Sequence, residues 1–180
     1  MSFSGPGIWG SEGRLPVARW SLAALVTLMP PHAAVAGPSH CAAKEQALFS
    51  CSTGRKTVSV CASAALSATE GRLQYRFGRP KAPEFAYPPN KVNWRQVTRG
   101  GVLTFSGGGG AYLAFASRPY RYIVYTAIGK GWGEKAGLVV EKNGRRTMNL
   151  PCKGKETSEL GPDLFAAASI PEDSASFDLP

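Results

Sequence analysis

Beyond Gly37 no stretch of this chain sustains an apolar period of 3.6 residues. Its apolar residues come in short runs, often alternating with polar ones, and turn residues cut the runs apart. That pattern leaves no helical core and predicts an all-β protein. Residues 72–77 are the clearest strand: Leu73, Tyr75 and Phe77 alternate with Arg72, Gln74 and Arg76, and Gly78-Arg79-Pro80 ends the run. Residues 46–51 and 56–62 flank Ser52-Thr53-Gly54-Arg55 and read as a hairpin. With Thr53-Gly54 as a two-residue turn, Phe49 faces Val58 and Ala47 faces Val60.

Residues 84–87 form a short strand stopped by Pro88-Pro89, and residues 92–97 read as an edge strand. Residues 102–105 lead into Gly107 to Gly110, expected to be a flexible loop between strands. Residues 111–116 and 121–127 form a hairpin across Ser117-Arg118-Pro119-Tyr120. Residues 138–141 and 145–150 flank Lys142-Asn143-Gly144, where Asn-Gly signals a tight turn because both residues tolerate positive φ. Eight or nine such strands predict a small antiparallel β-sandwich or β-barrel. Residues 37–153 make one β domain. Residues 154–180 are acidic and rich in Ser, Ala and Pro; they read as a loosely ordered tail in which 164–170 add a short strand or turn.

Residues 1–36 read as an export signal. Arg14 and Arg19 supply the cationic flank and residues 20–29 the apolar core. Pro30-Pro31 close that core, and Ala34-Val35-Ala36 offers a cut after Ala36. The segment before Arg14 is long and glycine-rich for such a leader. The apolar run falls short of the roughly 20 residues that a spanning helix needs. Pro38-Ser39-His40 before Cys41 does not suit lipid attachment. The expectation is a soluble periplasmic or secreted protein.

Export changes the reading of the four cysteines. Cys41, Cys51, Cys61 and Cys152 all lie in the β domain, and an even count in an oxidising compartment predicts two disulfides. No C-x-x-C pair exists, which argues against zinc and against thiol redox chemistry. In the expected hairpin register Cys51 and Cys61 lie on opposite faces and out of alignment. Each therefore pairs elsewhere, with Cys152 and Cys41 as partners.

The chain carries 21 Lys and Arg against 12 Asp and Glu. Without Arg14, Arg19 and Glu12 of the leader, 19 bases face 11 acids. Residues 37–154 hold 18 of those bases and 5 of the acids, and the tail holds the rest. A basic body predicts anionic partners: a glycan, a lipid head group such as that of lipopolysaccharide, or an acidic protein. Nothing in the pattern specifies a nucleic acid.

The tests for catalysis come out negative. His40 is the one histidine after the leader, and it sits in an expected terminal linker. A Ser-His-Asp or Cys-His arrangement has no positioned imidazole to use. Glu84 has no second acid to pair with as a glycosidase would require. The glycine run leads into a strand pattern, not a helix, so a phosphate loop is not expected. No cofactor or metal is expected.

The residues proposed for ligand binding are Arg72, Arg76, Arg79 and Lys81 on one stripe, with Tyr112, Arg121 and Tyr125 on a second. If Ala116 pairs with Arg121, Tyr112 lies directly across from Tyr125 beside Arg121. Exposed tyrosines beside a guanidinium stack on sugars and hold anionic groups. The expected function is non-catalytic binding in the envelope. The alternatives are a structural or assembly component and, less favoured, a hydrolase inhibitor or a cryptic hydrolase.

Overall fold

The computed structural model describes residues 37–180, together with residues 1–5, 7 and 10. The expected leader and its cut after Ala36 lie largely outside the described residues. From Gly37 onward the chain forms two antiparallel five-stranded sheets that enclose one apolar core.

Sheet one holds β1 (Glu45–Ser52), β2 (Thr57–Ser63), β3 (Leu73–Arg79), β4 (Ala82–Tyr87) and the two-residue β10 (Thr157–Ser158), in the order β10-β1-β2-β3-β4. Sheet two is a meander of β5 (Thr98–Phe105), β6 (Gly108–Ser117), β7 (Tyr120–Gly129), β8 (Gly133–Lys142) and β9 (Arg145–Pro151). Two short helices, α1 (Trp94–Val97) and α2 (Pro162–Ala167), complete the fold. The all-β expectation holds, and the architecture is the sandwich.

Side-chain alternation sorts each strand between core and surface. Leu73 and Tyr75 of β3 meet Leu113 and Phe115 of β6, Val124 of β7 and Leu138 of β8 in the core. Edge strand β4 lies over the Tyr122 end of β7, where Phe85 and Tyr122 rings are 5.0 Å apart. The β1 end instead reaches past β9, where Lys153 N donates to Ser52 O at 2.6 Å.

Three hairpins follow their local chemistry. Ala116 pairs with Arg121 and Tyr112 with Tyr125, as expected. Asn143 and Gly144 both take positive φ, at 52° and 74°, between paired Lys142 and Arg145. The first hairpin departs from expectation by two residues. Phe49 pairs with Val60 and Cys51 with Val58, because the connection is a four-residue loop closed by Thr53 N donating to Lys56 O at 2.8 Å.

Three further expectations are corrected. Residues 92–97 are not an edge strand. Asn93 Oδ1 accepts from Arg95 N at 3.0 Å and nucleates α1, whose Trp94 is buried with its indole N–H on Gly71 O at 3.1 Å. The glycine run is not a free loop. Gly108, Gly109 and Gly110 belong to β6, paired on both sides with β5 and β7. A Cβ at Gly108 would fall on the Ile128 carbonyl oxygen, and one at Gly110 on that of Thr126, so glycine permits a close approach of backbones.

The third correction concerns residues 154–180, which are not loosely ordered. β10 pairs with β1, Phe165, Ala168 and Ile170 join the core, and Phe177 is buried on the outer face of sheet two. Apolar residues spaced among the acids give this segment surface to bury, and the Asp173 carboxylate pairs with Arg121 of the basic body.

Both disulfides form. Cys41 joins Cys61 and Cys51 joins Cys152, so Cys51 and Cys61 do not bond to one another. Cys51 belongs to the core between the sheets. Two disulfides fit a protein that works outside the reducing cytoplasm. Among the described residues no helix is long and apolar enough to cross a membrane.

Candidate functional site

The seven residues proposed from the sequence do not form one surface. Arg76 is a structural cation of sheet one. Its Nη1 and Nη2 donate to the two Glu45 carboxylate oxygens at 2.6 and 2.7 Å, its Nε to Gln74 at 2.8 Å, and its Nη1 also to His40 O at 2.8 Å. That bidentate fork holds the Glu45 carboxyl below the usual range, against a partial opposing effect of burial. Arg72 Nη1 donates to Asn90 O at 3.0 Å. The Arg76 guanidinium is thus committed to the fold, whereas Arg72 stays exposed.

Tyr112, Arg121 and Tyr125 do come together on the outer face of sheet two, but residues 171–180 of the same chain cover them. The Phe177 ring sits 4.9 Å from that of Tyr112 and 5.7 Å from that of Tyr125. Arg121 donates to Glu141 at 2.9 Å and to Asp173. Burial works against the charge on Arg121, and the two carboxylates outweigh it, raising its pKa. Burial raises both tyrosines, and Tyr112, with Asp173 nearby, is pushed up to about 12.

Arg79 and Lys81 remain exposed, and they frame a different site. Where the β4 edge of sheet one overlies the end of β7, aromatic rings from both sheets converge. Tyr75 stacks with Tyr122 at 5.3 Å, Phe85 packs on Tyr122 at 5.0 Å, and Tyr120 lies 6.3 Å from Tyr122. Tyr75 is fully buried and anchors the stack, whereas Phe85 and Tyr120 are 36% and 37% exposed. Beside them a cleft of about 350 Å³ is lined by Arg55, Lys56, Phe77, Met148 and Leu150.

Cations rim this aromatic corner. Lys56 lies 5.2 Å over the Phe77 ring and Lys142 lies 5.5 Å over the Tyr120 ring. Lys56 and Arg79 share the Glu84 carboxylate at 2.7 and 3.2 Å, which holds its pKa below the usual range, chiefly through the Lys56 hydrogen bond. Lys81 occupies the β3–β4 turn, and Arg145 starts β9. Arg55, Lys81 and Arg145 have no acidic partner within ion-pair distance among the described residues.

The sequence reading missed Phe77, Phe85, Tyr120 and Tyr122 as a group. Each sits in a different strand pattern with its own core explanation, and only the packing of one sheet on the other assembles them. The single local signal was the apolar side of the 72–77 run.

The residues weighed for catalysis have structural partners. His40 is buried, contrary to the expected terminal linker. Its Nε2 meets Thr57 O at 3.1 Å and its backbone N donates to Ser59 Oγ at 3.0 Å. Ser50 Oγ and Ser59 Oγ bond to each other at 2.8 Å, and neither is addressed by the imidazole. Glu84 faces two cations and no second acid. Among the described residues no three His, Cys, Asp or Glu side chains gather as a metal site.

Compared with known proteins, the chain matches no protein-family model, and neither a curated protein nor a solved structure resembles it significantly. Its own geometry therefore carries the functional reading.

Proposed function

We propose that this protein is a non-catalytic binding module of the cell envelope, exported by a leader cut after Ala36. Its ligand is an anionic glycan or the anionic head group of a glycolipid, taken at the aromatic corner. The observation that carries this reading is a pair of partly exposed rings, Phe85 and Tyr120, beside three cations: Lys142 over Tyr120, Lys56 over Phe77, and Arg79 on the Glu84 carboxylate next to Phe85. Aromatic faces stack on sugar rings, while ammonium and guanidinium groups hold phosphate, sulfate or carboxylate. The cleft floored by Phe77, Met148 and Leu150 accepts an apolar extension of such a ligand.

The test is retention on immobilised heparin and on immobilised lipopolysaccharide over a salt gradient. A corner variant, Arg79→Ala with Lys81→Ala and Lys142→Ala, is compared with Lys44→Ala, Lys91→Ala and Lys130→Ala, which removes the same charge elsewhere. The corner variant elutes at clearly lower salt than the control, and adding Tyr120→Ala weakens it further. Equal elution of the two triple variants rules out the corner as the site.

A further inference from the structure

Residues 171–180 form a strap that crosses sheet two instead of extending it. The strap starts beside β5, where Gly100 N donates to Pro171 O at 2.9 Å and Asp173 N donates to Gly100 O at 2.9 Å. It then passes over β6 and β7, with Tyr112 OH donating to Ala175 O at 3.2 Å and Phe177 seated against Tyr112 and Tyr125. It ends over β8 and β9, where Lys135 Nζ donates to Pro180 O at 2.8 Å and Arg146 donates to Asp178 O. Past Asp173 no backbone-to-backbone hydrogen bond ties it to the sheet among the described residues. The ladder beneath is complete without it, so the part of the strap past Asp173 can lift without breaking a strand pairing.

The face it covers has the make-up of a recognition groove. Tyr112 and Tyr125 form an aromatic seat, with Ala114, Ile123 and Val139 around it. Cations stand along it: Arg121 at one side, Lys135 and Arg146 at the other. Next to Asp173 lies an open cleft of about 570 Å³ lined by Arg99, Arg118 and Arg121, with Asp173 the one acid in its wall. The occupant matches that chemistry: Glu172, Asp173 and Asp178 surround a single aromatic anchor, Phe177. Large aromatic anchors in a desolvated seat with charges at the rim are how extended segments are held.

We propose that the outer face of sheet two is a docking groove for an extended acidic segment of a partner protein. That segment places a carboxylate four residues before an aromatic ring, and the strap is the groove's own tethered occupant. A short tether supplies the strap at an effective concentration of millimolar order. A partner segment therefore binds the intact chain weakly until the strap is loosened. This surface is separate from the aromatic corner and does not rest on the ligand proposed there.

The test uses the full chain and a fluorescent peptide of residues 171–180, followed by anisotropy. Phe177→Ala vacates the seat while leaving Asp173 in place. The peptide binds this variant at least tenfold more tightly than it binds the wild-type chain. The same peptide with its phenylalanine replaced by alanine loses at least tenfold, and replacing its first aspartate costs as much in a Phe177→Ala, Asp173→Ala chain, where the strap no longer holds Arg121. A folded Phe177→Ala protein that binds no peptide overturns the proposal and leaves the strap a purely structural cover. If that variant does not fold, a protease site inserted between Ile170 and Pro171 is cut after folding. Exchange of the cut strap for labelled peptide supports the groove, and a strap that never exchanges overturns it. A concentration-dependent dimer that the peptide dissociates overturns the partner assignment in favour of a second copy's strap.

Discussion

Asp173 reaches back across 52 residues to close on Arg121, and its carboxylate is almost completely buried there. Glu141, directly opposite Arg121 in the neighbouring strand, holds the other side of the same guanidinium. One arginine thus carries two carboxylates, one from the sheet and one from the strap. The patch that looked like an open basic and aromatic surface in the sequence is an interior made by the last ten residues.

Removing one carboxylate tests this directly. Asp173→Asn leaves Arg121 with Glu141 alone and is expected to destabilise the fold by about 1–3 kcal/mol, as for a charged hydrogen bond lost from a buried site. Guanidinium denaturation measures it. A change below about 0.5 kcal/mol means that the strap is not held through this pair.

Arg76 is expected to behave as a structural residue. Arg76→Ala removes four hydrogen bonds and lowers stability by about 2 kcal/mol or more. Retention on heparin falls no more than for Lys44→Ala. A large drop in retention at unchanged stability returns Arg76 to the ligand site.

The Glu45 pair also sets a pH dependence. The folded carboxyl titrates below its unfolded value of about 4.3, so its contribution is fully present above that pH and lost as pH falls through the folded value. Glu45→Gln is therefore less stable than wild type at pH 7, and the difference shrinks below about pH 4. Parallel thermal unfolding curves at pH 7 and pH 3 check the convergence.

Tyr112 gives the opposite limb. Its phenol is pushed up to about 12 in the folded chain, against about 10 when unfolded. The neutral form is the one stabilised, so this contribution is complete below pH 10 and lost as pH rises from about 10 to about 12. Tyr112→Phe lacks that alkaline loss, and denaturation midpoints measured from pH 9 to pH 11.5 reveal the difference.

The two disulfides should not be equal. Cys51–Cys152 spans 101 residues and Cys41–Cys61 spans 20. Chain-entropy arguments give about 4.7 kcal/mol for a 100-residue loop and about 3 for a loop of 15 to 20. The Cys51→Ala, Cys152→Ala pair should melt below the Cys41→Ala, Cys61→Ala pair in calorimetry. The reverse order means that the Cys41 bridge stabilises chiefly by packing His40 onto β2.

Legibility followed the range of the interactions. The hairpins at 117–120 and 142–144 were readable because their turns are two residues long and side-chain alternation sets the register. The first hairpin slipped by two residues because Ser52-Thr53-Gly54-Arg55 suits more than one turn length. Residues 92–97 carried strand-like residues, yet an Asn cap and a buried Trp made a helical turn. The glycine run looked unstructured because glycine at the close contact of two backbones and glycine in a free loop are identical in sequence. Among the proposed site residues, Arg79 and Lys81 stay at the surface, while Arg76, Arg121 and the two tyrosines are used by the fold itself.

Strand-rich content, the two-residue turns, the number of cysteines available to bond and the separation of a basic body from an acidic end are all set locally, by the order of the amino acids. These follow from local backbone preferences and from composition, which need no knowledge of distant neighbours. Which faces stay open is a matter of long-range packing. Burial is a property of pairs of surfaces far apart in the chain, and the energy gained by seating Phe177 on Tyr112 and Tyr125 depends on residues separated by more than fifty positions. The same long-range packing brought Phe85 and Tyr122 together and left the aromatic corner as the exposed one.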